Sequence, residues 1–302
     1  MSLVINHNMM AANTARNLNS HYAQLSKSTQ RLSTGLRVNS AADDAAGLAI
    51  RELQRADIAT LQQGARNAND AISLIQTADG ALSIIDEKLV RMKELAEQAA
   101  TGTYDSTQRL MIESEYQAMA SEITRIANAT DFNGIKLLDG TLSSNTHDGS
   151  GLTATGKLKV HFGTGNDSAE DYYYIKIGQS TASALGVGNQ AIDPETGELR
   201  AGGTISTQEA AQKSLEALTQ AIVSKDKIRA HLGAMQNRLE NTITNLNTQA
   251  ENLQAAESRI SDVDVATEMT QFVRTQILSQ SAVAMLSQAN SLPKMAMQLI
   301  GG

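Results

Sequence analysis

Cysteine and tryptophan are both absent from the 302-residue chain. Without cysteine there are no disulfides, no thiolate metal sites and no cysteine nucleophile, and the composition is compatible with export because nothing can cross-link on the way. Aromatic residues make up 3% of the chain, with only three phenylalanines, Phe132, Phe162 and Phe272. The large rings that dominate most globular cores are therefore scarce. The net charge of −7 argues against a general nucleic-acid binder. No apolar run approaches the roughly 20 residues needed to span a bilayer.

What remains is alanine, leucine, isoleucine and methionine, the composition of long helices packed along narrow seams. From Met1 to Ala42 there are four basic residues, Arg16, Lys27, Arg31 and Arg37, and no acidic one. That pattern superficially fits a mitochondrial transit peptide, but its helical periodicity runs straight on into the body of the chain. It also lacks the apolar core of a cleaved secretory signal.

Leu18, Leu25 and Leu32 recur every seven residues, with Tyr22 and Leu36 expected on the same face. A second series runs from Ile58 through Leu61, Ala65, Ile72, Leu82, Leu89 and Met92 to Ala96, predicting a helix about 60 Å long. A third helix is expected from Ser106 to Ala129 on a stripe of Leu110, Ile112, Tyr116, Met119, Ile123 and Ile126, with Gly134 of "DFNG" placed to stop it. Between Gly134 and Gly203 lie 13 of the chain's 21 glycines, which forbids long helices there. Within it, Lys157–Phe162 and Tyr172–Ile177 read as the strands of a β-hairpin. Helical spacing resumes from Thr207 to about Ala256, and an unusually apolar helix follows from Val263 to Ile300, its regular part expected to end at Pro293.

The fold class this implies is mainly α: long antiparallel helices formed by the N- and C-terminal parts, with a small β-hairpin region in the middle. Folding the chain back on itself is the cheapest way to bury both sets of seams.

Candidate chemistry is sparse. Asp43 and Asp44 sit side by side before a helix-like run, but Ser40 and Asp43 form an S-x-x-[DE] capping pattern that accounts for acids at a helix start. His7, His21, His147, His161 and His231 show no ligand spacing, and no nucleophile-elbow, P-loop or zinc-protease pattern occurs. "GTGND" and "GVGN" are glycine turns without a strand-to-helix context, and "GNDSAED" lacks calcium-loop spacing. Asp262, Asp264 and Glu268 read as a second helix start, capped by Ser261 or Asp262. No catalytic, metal or cofactor site is expected.

Seven segments in order carry a resemblance. They are "INHNMMAANTARNL" (5–18), "RLSTGLRVNSAADDAAGLAI" (31–50), "NANDAISLIQTADGAL" (67–82), "RMKELAEQA" (91–99), "DFNGIKLLDG" (131–140), "SRISDVDVATEM" (258–269) and "QANSLPKMAMQLI" (288–300). Together they resemble bacterial flagellin over roughly the first 140 and last 100 residues.

The resemblance implies a secreted, non-enzymatic subunit of the extracellular flagellar filament, exported unfolded and assembled at the filament tip. It also implies an inner domain of terminal helices (1–40 and 263–302), disordered in the free monomer, and a rod-shaped helical domain (41–140 and 204–262). A short variable β-hairpin surface region (141–203) completes the division. Terminal-helix assembly would rest on Leu18, Leu25, Leu32, Phe272, Ile277 and Leu286. A spoke joining the domains would use Gly35, Arg37, Asn39, Ser40, Asp43 and Asp44. Implied partners are further copies of the chain, the filament cap and hook-junction proteins, and an export chaperone docking at Val263, Phe272, Ile277, Met285 and Leu292. Host Toll-like receptor 5 would read Leu89, Arg91, Lys93, Glu94, Leu95 and Glu115. No nucleic acid and no membrane span are expected. The competing readings are a hook–filament junction protein, whose terminal helices are similar, and a soluble coiled-coil adaptor.

Overall fold

The structure is a computed structural model that describes residues 7–150, 155–168, 170–189 and 201–300. In α6 the side chains are described through Ser291 and at Lys294 and Met295. The chain divides into two compact units: Met1–Ile58 with Glu251–Gly302, and Ala59–Ala250.

In the first unit, helix α1 spans Met9–Thr34. It begins where the Asn8 side chain accepts the Ala11 N–H and ends at Gly35, whose left-handed backbone (φ 72°) lets its N–H reach the Arg31 carbonyl. Helix α6, Val265–Ile300, lies antiparallel to it. Arg31 meets Glu268 at one end of the pair (3.4 Å), and Asn8 Nδ2 donates to the Ala289 carbonyl at the other (2.8 Å). On α1 the seam consists of Leu18, His21, Leu25, Ser28 and Leu32, in alternating steps of three and four. Tyr22, expected on this face, lies one residue to its side and is 51% exposed. On α6 the seam is made of Phe272, Thr275, Ser279, Ala282, Leu286 and Ala289, mostly small residues that let the backbones approach.

In the second unit, α2 (Ala45–Ala100), α3 (Ser106–Ala129) and α5 (Gln208–Ser261) bring together one core; α2 and α5 also supply residues to the first unit. The core holds Ile75, Leu82, Ile85, Leu89, Met92 and Leu95 from α2, Tyr116 and Ile123 from α3, and Leu218, Leu232 and Leu239 from α5. Each fully buried leucine or isoleucine contributes about 1.5–3 kcal/mol relative to leaving it exposed. The ion pairs Asp79–Arg229 and Asp86–Lys225 run in opposite chain directions, so α2 and α5 are antiparallel. Arg91–Glu115 and the Arg109 bonds to the Ala99 and Thr101 carbonyls do the same for α2 and α3. Asp105 opens α3 with a complete capping box, its partner being Gln108.

Three two-stranded antiparallel hairpins follow: β1–β2 (Asp131–Phe132 with Ile135–Lys136), β3–β4 (His147–Asp148 with Thr155–Gly156) and β5–β6 (Leu158–His161 with Tyr172–Ile175). The last is the hairpin expected from the sequence. Its inner face (Val160, Tyr173, Ile175) joins the core, and Arg238 of α5 lies 3.6 Å over the Tyr173 ring. A short helix α4, Ala182–Leu185, lies between β6 and α5.

The mainly helical architecture, with long helices in the N- and C-terminal parts, agrees with the sequence reading, with local corrections. α3 stops at Thr130 rather than Gly134. Asn133 and Gly134, both at positive φ, instead form the two-residue turn of β1–β2, the geometry that favours Asn-Gly. Leu110 is 59% exposed and not part of the α3 stripe. α5 continues to Ser261. α6 starts at Val265 under Asp264, whose carboxylate accepts the Ala266 and Thr267 N–H groups, rather than under Ser261 or Asp262. It also continues past Pro293 to Ile300, although the proline's missing N–H costs one bond of the helical ladder.

Candidate assembly interface

The segment between α1 and α2 is tied to the segment between α5 and α6. Leu36 pairs with Asp262 as an antiparallel bridge, the Arg37 N–H donates to the Ser261 carbonyl at 2.6 Å, and the Val263 N–H donates to the Gly35 carbonyl at 3.0 Å. Arg37 Nη2 reaches the Ile260 carbonyl (2.7 Å), and Asn39 Nδ2 the Leu36 carbonyl (3.1 Å). Three hydrogen bonds, from the Arg37 and Val263 N–H groups and from Arg37 Nη2, thus strap together chain positions more than 200 residues apart, and the Asn39 bond holds the first segment locally.

The two carboxylates divide the work differently from the sequence expectation. Ser40 and Asp43 close a turn rather than start the helix: the Asp43 carboxylate accepts the Asn39 and Ser40 N–H groups and the Ser40 hydroxyl. Asp44 is the residue that caps α2, accepting the Gly47 N–H at 2.9 Å. The correction has a physical cause, since a reversed turn and a helix cap use the same short-range donors and differ only in where helical dihedrals begin. Asp43 is also ion-paired to Lys27 of α1 at 2.7 Å, and that hydrogen bond, with the Asn39 and Ser40 N–H groups, lowers its pKa to about 2 against the opposing effect of desolvation. Every contact of both acids is structural.

Along α6 the expected terminal-helix set separates. Phe272 and Leu286 are half-buried on the seam opposite Leu18, Leu25 and Leu32, whereas Ile277 (56% exposed) and Met285 (58%) point away from it. They belong to a set of exposed apolar side chains with Val265, Met269, Val273, Leu278 and Val283, spread around the part of the helix that does not face α1. α6 is apolar around its circumference, so hydrophobicity alone does not mark the inner face; the small residues Thr275, Ser279 and Ala282 do, because only they permit close packing on α1. Of the residues expected to dock a chaperone, Val263 is half-buried in the strap ahead of α6, and the side chain of Leu292 lies outside the described residues.

The receptor-type set separates in the same way. Arg91 forms one exposed cluster with Glu115 (2.8 Å) and Glu94 (3.0 Å), and the two carboxylates, Glu115 first, push its pKa above the ordinary value. Lys93 is exposed on the same helix, but two residues from Arg91 it is turned to a different side. Leu89 and Leu95 are buried to 0% and 1% exposure in the core, so they cannot touch a partner and at most position the helix. They fall on the inward positions of the same heptad that turns Arg91 and Glu94 outward.

Sequence reading missed two buried polar groups. Lys225, 1% exposed, bridges Asp86 (2.5 Å) and Asp226 (2.8 Å), and the Tyr116 hydroxyl donates to the Gly202 carbonyl (2.7 Å). Burial lifts the Tyr116 pKa well above its usual value. Among the described residues no helix is long and apolar enough to cross a membrane.

Comparison with known proteins agrees with this arrangement. Residues 5–143 match the family described as the bacterial flagellin N-terminal helical region, and residues 215–300 match the bacterial flagellin C-terminal helical region. The chain is 42% identical to a flagellin of Halalkalibacterium halodurans, covering 99% of this chain and 100% of that protein. It is 43% identical to a flagellin of Bacillus subtilis, covering 98% and 99%. A solved flagellar hook-associated protein from Vibrio parahaemolyticus shares the fold at a TM-score of 0.56 and 15% identity, covering 73% of this chain and 100% of that one. Identity at that level speaks for the fold alone, whereas the flagellins match from end to end at more than twice the identity, and the chain belongs to the bacterial flagellin family.

Proposed function

We infer that this chain is a structural subunit that polymerises with copies of itself into the bacterial flagellar filament and serves swimming motility. The observation that carries the reading is the set of exposed apolar side chains of α6, Val265 to Met285, on a helix whose inner face is already packed against α1. An apolar surface of that extent is costly in water and is satisfied by neighbouring subunits. Contacts that do not close into a ring then propagate as a helical filament.

Export in the unfolded state and addition at the filament tip fit a chain without cysteine and with few bulky rings. The proposed inner domain is 1–40 with 263–302, the rod domain 41–140 with 204–262, and the surface region 141–203. The strap of Gly35, Arg37, Asn39, Ser40, Asp43 and Asp44 is the proposed spoke, supported by its ties to residues 260–263. An export chaperone would cover the exposed part of α6, including Ile277 and Met285. Cap and hook-junction proteins would meet the same terminal helices. Toll-like receptor 5 would read the charged cluster of Arg91, Glu94 and Glu115 together with the exposed Lys93; unchanged receptor signalling by Arg91→Ala contradicts that assignment. The filament places the protein outside the cell.

Seeding purified protein with filament fragments tests the reading. Electron microscopy is expected to show long filaments from the full chain and none from a variant lacking residues 1–39. Failure of the full chain to polymerise under seeding overturns it.

A further inference from the structure

The outer face of the β5–β6 hairpin is unusual for a chain of net charge −7. Residues that alternate away from the core on the two strands are Lys159, His161, Tyr172 and Tyr174, and Lys157 and Lys176 continue the same alternation one residue past the Leu158–Ile175 pair. Lys159 Nζ lies 3.6 Å from the centre of the Tyr172 ring and Lys157 Nζ 3.9 Å from that of Tyr174, so the rings hold ammonium groups in place. Lys176 Nζ donates to a neutral acceptor, Asn145 Oδ1, at 2.5 Å.

Beside this face Lys176, Gly178, Lys227, Ile228 and His231 line a cleft of about 230 Å³ between β6 and α5. Among the described residues no carboxylate lines it. The nearest acid in sequence, Asp226, is engaged by Lys225 at 2.8 Å, and Asp171 at the far end of the hairpin accepts the Gly165 and Asp167 N–H groups. Two ammonium groups and an imidazole thus share one concavity with no counter-charge among the described residues, whereas Lys27, Lys136, Lys213 and Lys225 each pair with an acid. A concave cationic wall concentrates field and attracts an anion.

We propose that the cleft of Lys176, Lys227 and His231 is a binding site for a tetrahedral oxyanion, sulfate or phosphate in type, with Lys157 and Lys159 extending the cationic track along the hairpin. The ammonium groups supply point charges and the imidazole one N–H donor. Because a lysine already covers a face of both Tyr172 and Tyr174, the track suits anionic groups rather than stacked bases. Two sources carry this chemistry: a free inorganic anion, or sulfate esters on a polysaccharide.

The test follows the His231 ring signals by NMR, assigned with His231→Gln, while full-length protein is titrated at constant ionic strength with sodium sulfate, dextran sulfate and unsulfated dextran. Saturable movement with sodium sulfate assigns a free anion, and movement with dextran sulfate alone assigns the polymer-borne ester. In either case Lys227→Gln is expected to weaken binding about tenfold, the loss of one charge-assisted contact. Lys213→Gln, which removes an α5 lysine already paired with Glu209, should leave binding unchanged. No movement with either sulfate source, or an equal loss in Lys213→Gln, overturns the proposal.

Discussion

Lys27 Nζ stands 2.7 Å from Asp43 Oδ1, so the last turns of α1 hold the turn that precedes α2. The other carboxylate oxygen accepts the Asn39 and Ser40 N–H groups, leaving Asp43 ionised down to about pH 2. A carboxylate whose pKa is lowered by folding contributes stability above its unfolded value near 3.8 and loses it as pH falls through about 2. The Asp43 carboxyl signal should therefore titrate near pH 2, and Lys27→Met should raise the midpoint toward the ordinary aspartate range. An unmoved midpoint would show that Lys27 is not the main cause.

Gly64 of α2 faces the backbone carbonyl of Phe162, and a Cβ placed there would collide with it. Three residues on, Asn67 Nδ2 donates to the His161 carbonyl at 2.9 Å, so the hairpin rests directly on the helix. Gly64→Ala should push β5 outward, cost about 1–3 kcal/mol by overpacking, and speed amide exchange at 158–161. Unchanged exchange at those amides would mean the contact closes without strain.

Lys225 separates two substitutions usually treated alike. Asp86→Ala leaves a buried ammonium with only Asp226 and should cost about 2 kcal/mol, below the range for fully buried pairs because Asp86 is itself 35% exposed. Lys225→Met removes the buried charge, lets both acids rehydrate, and should be neutral or stabilising. Chemical denaturation of the two variants checks the order, and a Lys225→Met variant less stable than Asp86→Ala refutes it.

The parts legible in the sequence are those where a single period decides the answer. The long seams of α1, α2 and α5, the extent of α3 and the β5–β6 hairpin follow from leucine spacing and strand alternation. Positions with two local solutions were not legible. Asp43 and Asp44 both look like caps, and only the start of α2 at Ala45 tells them apart. α6 is apolar on every side, so Ile277 reads as a seam residue until Thr275 and Ser279 are found buried against α1. Leu89 and Leu95 read as recognition residues because they adjoin Arg91, yet the same heptad buries them. Lys225 carries no local signal at all, because the acid that explains its burial lies 139 residues away.

The outward face of α6 is where the account is most exposed to refutation. Ile277→Asp with Met285→Asp places charges on side chains that lie off the α1–α6 seam and are more than half exposed, so monomer unfolding should change little. Seeded filament mass, measured by sedimentation and electron microscopy, should fall more than about tenfold, as expected where charges are forced into a buried apolar contact. Filaments of normal yield from this variant would contradict the assignment of α6 as the surface on which neighbouring subunits pack.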